Sequence, residues 1–521
     1  MSKMIGSPGL SYTKSTQDLS SLELTDLDAA CGIYDKPVAT TSNWLPTPKD
    51  VTQPGFSENS MIVMKFGGTS VGNAGCLTRV ASIVRKALPS RPILVLSAMG
   101  KTTNNLLAAA SKALESGEVD ASVVRATHES CLKELGISVP ASVSTLLDEL
   151  ERLLNGVALL REISMQTRDR VVSFGERLSV RTFEAVFNAT KADPKEPDAR
   201  FFDSWDIGMK TTSGAGSSDS AFSEVQVLDE SYTEILHSFK PLQSNYSYVP
   251  VVTGYIAHDS KGVITTLGRD GSDLTATIIG ASVRAAEVQI WKDVSGIQSM
   301  DPRVAPAAKP VNVLTFEEAA ELSTFGAKVV HPAAVLPAWI ANVPMSVRNS
   351  MAPDLPGTRI LPELTEKDCR DGRVAAISSK SDITMIVIKS SRMLGQHGFL
   401  AHVFGLFNKF EASVDVIATS EVTVSLTLDQ GYKSVDLVGL ESALKEVAKV
   451  IVLQDMAMLT LICAKKDSTH VLKESFSVFD EMGVEVEMVS HGASNVNVTF
   501  VLPGDKLLPA SRKLHEVFFE R

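Results

Sequence analysis

Two short apolar runs constrain this chain most. Met61–Phe66, broken only by Lys65, and Pro92–Leu96 each end in a polar turn that opens a helical pattern. A strict apolar–polar alternation would mark strands with one wet face. Continuous runs mark strands covered on both faces, as in a parallel sheet sandwiched by helices. The first run passes into Gly67-Gly68-Thr69-Ser70 and a helix around Leu77–Leu88, the second into Ser97-Ala98-Met99-Gly100-Lys101-Thr102-Thr103-Asn104. Residues 105–190 read as mainly helical. Strand-like runs return at Tyr248–Ile256, Gly262–Leu267, Val288–Lys292 and Pro344–Arg348, with a helix-rich stretch over Val311–Val330. An α/β unit over 61–360 is predicted, ending where Pro353, Pro356, Gly357 and Pro362 cluster.

The last 150 residues or so carry a repeat. Phe404-Gly405-Leu406-Phe407 matches Phe476-Ser477-Val478-Phe479, and Val414-Asp415-Val416 matches Val486-Glu487-Met488, both at an offset of 72 positions. Ser413–Ile417 and Val422–Leu428 alternate cleanly, as do Val484–Val489 and Val496–Leu502. This predicts two α+β modules of βαββαβ type, placed at 376–455 and 456–521, each an antiparallel sheet with helices on one face. The modules are expected to exchange a strand.

Composition narrows the function. The 521 residues leave room for about three domains. Fifty Lys and Arg against 61 Asp and Glu give a net charge of -11, which disfavours nucleic acid as a partner. The apolar runs are far shorter than a membrane span. Cys31, Cys76, Cys131, Cys369 and Cys463 are scattered without a CxxC pair, so buried or idle thiols in a reducing compartment are expected. Residues 1–60 are rich in Ser, Thr, Pro and Asp, lack Arg and show little periodicity. They read as a disordered leader unlike a transit peptide, so a cytosolic protein is expected.

Six segments could carry chemistry. Lys65-Phe66-Gly67-Gly68-Thr69-Ser70 puts a lysine and two glycines before a helix start; it suits an anion, or is simply a tight turn. Gly100-Lys101-Thr102 misses the P-loop pattern, because Val95 stands where its first glycine should be. Ser173-Phe174-Gly175-Glu176-Arg177 could aim a carboxylate at an ammonium, or form a surface ion pair. Leu267-Gly268-Arg269-Asp270-Gly271-Ser272-Asp273 follows a strand and precedes a helix. Arg269 suits a carboxylate there, and Asp273 suits a helix cap. Trp291-Lys292-Asp293 with Asp301-Pro302-Arg303, and Phe325-Gly326-Ala327-Lys328-Val329-Val330-His331-Pro332, are weak signals alone.

Together and in this order, the six segments resemble the aspartate kinase family of the amino acid kinase superfamily, and the repeat resembles its paired ACT domains. The likeness runs from about Met61 to the C-terminus. Trp291-Lys292-Asp293 and Ser97–Asn105 are most similar to the plant-type, lysine-sensitive, monofunctional enzymes. The chain stops at Arg521, after the second repeat, so no appended homoserine dehydrogenase is expected. The resemblance implies transfer of the ATP γ-phosphate, with Mg²⁺ accompanying ATP, to the side chain of L-aspartate, giving 4-phospho-L-aspartate.

It also implies roles. Lys65 would contact the phosphates and Asp273 would orient it. Gly67, Gly68 and Ser70 would line the nucleotide turn, and Lys292, Asp293, Arg303 and Lys328 the rest of the ATP site. Glu176 would meet the substrate ammonium and Arg269 its α-carboxylate, beside Thr102, Gly271 and Ser272. L-lysine would inhibit at Met393, Gln396, Gly398, Phe399, Leu400, Val414, Asp415, Thr419, Ser420 and Glu421, with S-adenosylmethionine a second candidate effector. Family ACT modules pair between subunits, implying a homodimer or tetramer. Family analogy gives the plastid stroma as the alternative location. Two departures stand out: Asp270 replaces a usual glycine, and Leu461-Ile462-Cys463-Ala464 replaces Leu-Ile-Gly-Asn. The competing readings are another amino acid kinase and a catalytically dead amino-acid sensor.

Overall fold

The computed structural model describes residues 61–213, 225–268, 270–324, 330–365, 368, 372–390, 397–428, 435–491 and 496–520. In chain order the first strands are β1 (Ile62–Phe66), β2 (Pro92–Leu96), β3 (Asp198–Phe202), β4 (Lys210–Thr211), β5 (Tyr248–Thr253), β6 (Ile256–Asp259), β7 (Ile264–Thr266), β8 (Glu287–Lys292), β9 (Val313–Thr315), β10 (Met345–Asn349) and β11 (Thr358–Leu361). The helices among them are α1 (Ala74–Ala87), α2 (Thr102–Ser116), α3 (Ser122–Glu134), α4 (Ala141–Leu160), α5 (Met165–Ala189), α6 (Glu230–Ser244), α7 (Gly271–Val283), α8 (Phe316–Thr324) and α9 (Pro332–Ile340).

Among the described residues, eight strands form one sheet in the order β3-β5-β2-β1-β8-β10-β11-β9, parallel except where β11 meets β10. Both expected apolar runs lie at its centre, every residue of β1 and β2 buried. Alternation along β1 divides the core. Ile62, Met64 and Phe66 pack with α1 and α5, whereas Val63 joins Ile278 and Ile279 of α7 on the other face. Lys65 shares the parity of Val63, so it emerges on the α7 side. One expectation needs adjustment. The stretch 311–330 begins with a strand, β9, before α8. The last strand of this sheet in chain order, β11, ends at Leu361.

The C-terminal region contains β12 (Val374–Lys389), α10 (Phe399–Lys409), β13 (Val414–Thr419), β14 (Thr423–Leu428), α11 (Leu437–Lys445), β15 (Lys449–Cys463), α12 (Ser468–Met482), β16 (Met488–Ser490), β17 (Asn497–Pro503) and α13 (Gly504–His515). The strands form one sheet, β13-β14-β12-β15-β17-β16. The long antiparallel pair β12·β15 is its spine. The second half of β12 and the first half of β15 complete the module with β13 and β14. The second half of β15 pairs with β17, and its outer partner is Val374–Lys380, which precedes the first module in sequence. The alternation over 484–489 is realised as strand only from Met488, although the Glu487 N–H still donates to the Val501 carbonyl at 2.9 Å. Helices cover the outer face. On the inner face Met385, Val416, Met456, Met458, Met488 and Val501 form a core of their own.

Candidate active site

Parallel register brings the functional turns together. Phe66 lies beside Leu96 and Trp291, so β1, β2 and β8 end level, and each passes directly into a glycine or a polar residue. The Gly67 N–H donates to the Trp291 carbonyl at 3.2 Å and is therefore committed to extending the β1·β8 ladder at the carboxyl ends of these central strands. The Gly100 N–H donates to the Gly68 carbonyl at 2.9 Å. A Cβ on Gly68 would meet the Ala98 carbonyl oxygen at 2.7 Å, so only glycine lets these two turns approach.

Asp273 sits in the first turn of α7, fully buried. It makes no helix cap. Its Oδ1 lies 2.6 Å from Lys65 Nζ and its Oδ2 3.2 Å from Lys292 Nζ. Burial pushes this carboxyl up, but the two ammoniums outweigh burial and hold it below the usual carboxylate range. The cluster is thus one anion between two cations, with a net positive charge at the strand ends. Asp293 is exposed. Arg303 is also solvent-facing and is turned onto its neighbour Asp301 at 2.6 Å.

Glu176 lies on α5 and is buried, so it is no surface ion pair. Gly175 permits this: a Cβ there would meet that of Ala98 at 2.8 Å. Glu176 Oε1 accepts from the Ala98 N–H at 3.2 Å, while its Oε2 has no hydrogen-bond partner among the described residues. Burial pushes this carboxyl up to about 8, against the opposing pulls of the Ala98 N–H and Lys65. A buried carboxylate with an open oxygen is a receptor for a cation. The neighbouring Arg177 turns away to Asp203 at 3.3 Å.

Thr102 is buried and donates to the Met99 carbonyl at 2.6 Å. Ser272 is buried against Gly254, where a Cβ would come within 2.6 Å of the serine's own. Asp270 has φ 54°, and Gly271 opens α7 directly after it. Arg269 and Lys328 lie outside the described residues. Sequence reasoning missed Ser350, whose hydroxyl meets that of Ser70 at 2.8 Å; it stands in no motif and has no local signal.

In the C-terminal sheet, Gly398 adopts φ 87° at the start of α10, with Phe399 and Leu400 in its first turn. Val414, Asp415 and Thr419 are on β13, and Ser420 and Glu421 form the turn into β14. Asp415 is paired with Lys380 Nζ at 2.9 Å. Met393 and Gln396 lie outside the described residues. Cys76, Cys131 and Cys463 are buried and join in no disulfide. Among the described residues no helix is long and apolar enough to cross a membrane, and no three or more His, Cys, Asp or Glu gather as a metal site.

Residues 60–349 match the model of the amino acid kinase family, and residues 466–518 match an ACT domain. The chain is 41% identical to aspartokinase 1, chloroplastic, of Arabidopsis thaliana, over 88% of this chain and 80% of that one. It is 34% identical to lysine-sensitive aspartokinase 3 of Escherichia coli, over 89% of this chain and all of that one. Among solved structures, E. coli aspartokinase III with aspartate and ADP, in the R-state, superposes with a TM-score of 0.69 at 31% identity, covering 88% of this chain and 99% of that one. The same enzyme with lysine and aspartate, in the T-state, gives 0.67.

Proposed function

The chain belongs to the amino acid kinase family, on its aspartokinase branch, and from that membership we propose how its residues transfer the ATP γ-phosphate to the side-chain carboxylate of L-aspartate. The observation that carries the reading is Asp273 clamped between Lys65 and Lys292 at the level ends of β1 and β8.

The acceptor is a carboxylate with a usual pKa of about 3.9, already ionised at neutral pH. It needs no general base, and Asp273, held below the usual range, would be a poor one. The difficulty is instead to bring two anions together and to stabilise charge on the moving phosphoryl group. Lys65 and Lys292 meet that need. Asp273 keeps both ammoniums aimed at one place, which makes it a positioning group. Glu176 receives the substrate ammonium on its open oxygen, which selects an amino acid over a simple dicarboxylate. Arg269 takes the α-carboxylate, with Thr102, Gly271 and Ser272 shaping the pocket. Gly67, Gly68, Asp293, Arg303 and Lys328 belong to the nucleotide side.

Magnesium arrives as the counter-ion of ATP. Asp273 is already held by two ammoniums, and no group of three or more His, Cys, Asp or Glu gathers as a metal site among the described residues, so the ion would rely mainly on the nucleotide and would supply neutralisation of the developing charge. Product is read by trapping aspartyl phosphate with hydroxylamine. Lys65→Ala should lose several kcal/mol of transition-state stabilisation at unchanged fold; turnover near that of the parent would overturn the assignment.

L-lysine is the proposed inhibitor, at the start of α10 and along β13. Its carboxylate meets the backbone at Gly398–Leu400 and its ammoniums meet Asp415 and Glu421. Assays with added lysine, threonine and S-adenosylmethionine test this. Pairing of the 376–455 and 456–521 modules between subunits would give the homodimer or tetramer, which sedimentation measures. Likeness to chloroplastic relatives favours the plastid over the cytosol, and a fluorescent fusion of residues 1–60 decides between them.

A further inference from the structure

We propose that Ser350 is a positioning residue for phosphoryl transfer, acting through a two-hydroxyl relay that locks the nucleotide turn to the strand carrying Lys292. Ser350 follows the last residue of β10, whose Asn349 is level with Lys292 of β8. Its N–H and its hydroxyl both donate to the Lys292 carbonyl, at 2.8 and 3.0 Å. A serine hydroxyl has one proton, and here the carbonyl takes it. The Ser350 oxygen therefore accepts from Ser70, at 2.8 Å. Both serines are buried, with about 1% of their surface exposed, so water does not substitute for either bond. Ser70 closes the tight turn made by Gly67 and Gly68, its N–H donating to the Gly67 carbonyl at 2.9 Å. The relay thus joins the glycine turn after β1, the backbone of Lys292 and the end of β10. It sets the distance between the phosphate cradle and the ammonium that holds Asp273. It also assigns Ser70 inward, to the scaffold.

The test is steady-state kinetics of Ser350→Ala, Ser70→Ala and the double variant, beside thermal melts. The expected result for Ser350→Ala is a loss of about tenfold in kcat/KM for ATP, with KM for aspartate within twofold of the parent and the melting temperature nearly unchanged. The double variant should lose no more than the worse single one, because both break one relay. An unchanged kcat/KM for ATP, an equal loss toward both substrates, or losses that multiply would overturn the proposal.

A separate observation concerns the effector site, and this second inference rests on the lysine reading given above. We infer that Lys380 is a built-in competitor for the effector's ammonium. Lys380 Nζ lies 2.9 Å from Asp415 Oδ2, with only 12% and 11% of the two side chains exposed. Lys380 lies on the half of β12 that borders the second module, whereas Asp415 lies on β13 of the first. Free lysine must displace this ammonium to reach Asp415, so the ion pair raises the lysine concentration needed for inhibition. Removing the competitor removes that handicap. Lys380→Met should lower the half-inhibitory lysine concentration about fivefold and tighten calorimetric lysine binding by the same factor, with uninhibited turnover unchanged. Equal or weaker lysine binding in Lys380→Met overturns the competitor. Absence of lysine binding to the parent protein overturns the effector reading itself.

Discussion

Glu176 carries a consequential protonation. Its folded value of about 8 lies above its ordinary one, because burial opposes the charge. Between about pH 4.5 and 8 the unfolded chain has lost this proton and the fold retains it. Stability therefore falls as pH rises through that window, and is flat above it. Glu176→Gln should flatten the melting temperature of the ligand-free protein between pH 5 and 8, relative to the parent. Asp273 leaves this window alone, since its depressed value places its loss of stability below the usual carboxylate range. Substrate binding should reverse the burial penalty. An ammonium at Oε2 favours the carboxylate, so aspartate binding at pH 7 should release about one proton, measured by calorimetry in buffers of different ionisation enthalpy. KM for aspartate should fall as pH rises toward 8. Asp270 is the other residue of note. At φ 54° it bears a strain glycine would not, and it makes no side-chain cap bond. Asp270→Gly should gain a few tenths to about 1 kcal/mol in denaturant unfolding. The sequence shows an aspartate before Gly271; only the backbone shows that the position is left-handed.

At the scale of elements, the strand ends matter more than the helices. The continuous apolar runs revealed β1 and β2 because they are short and each ends in a polar or glycine turn, which a buried helix of that length would not need. The glycine turn was legible as a close strand-to-helix turn, while its use for an anion stayed open beside a simple tight turn. What local pattern could not show is how closely the turns pass. Gly68 faces the Ala98 carbonyl across two strands, a contact between segments about thirty positions apart. Gly68→Ala should therefore displace the loop after β2 and abolish aspartyl phosphate formation with little change in helical circular dichroism. Glu176 was legible as a motif yet ambiguous in place. An amphipathic reading of α5 allows a surface ion pair, and only the packing of Gly175 on Ala98 drives it inward.

Across the whole molecule, the two C-terminal modules are one sheet whose order departs from chain order. The second module takes its outer strand from Val374–Lys380, ahead of the first. A fragment of 372–521 should unfold cooperatively, whereas 456–521 alone should remain unstructured by circular dichroism, because its edge strand and part of its core are missing. The same module touches the catalytic unit, with Met300 and Ala305 in its core and Ser299 meeting His515 at 3.0 Å. Sequence alone determined the fold class and the repeat, because periodicity and turn composition are local; the chemistry of the motif residues it implied only through their joint resemblance to a family. Tertiary structure decided that Asp273 binds two ammoniums instead of capping a helix, that Glu176 is buried with an open oxygen, that Ser350 ties two motifs together, and which segment, Val374–Lys380, crosses between modules. Each of these depends on register and packing between distant segments, where the energy of a charge or a hydroxyl is set by neighbours no local pattern names.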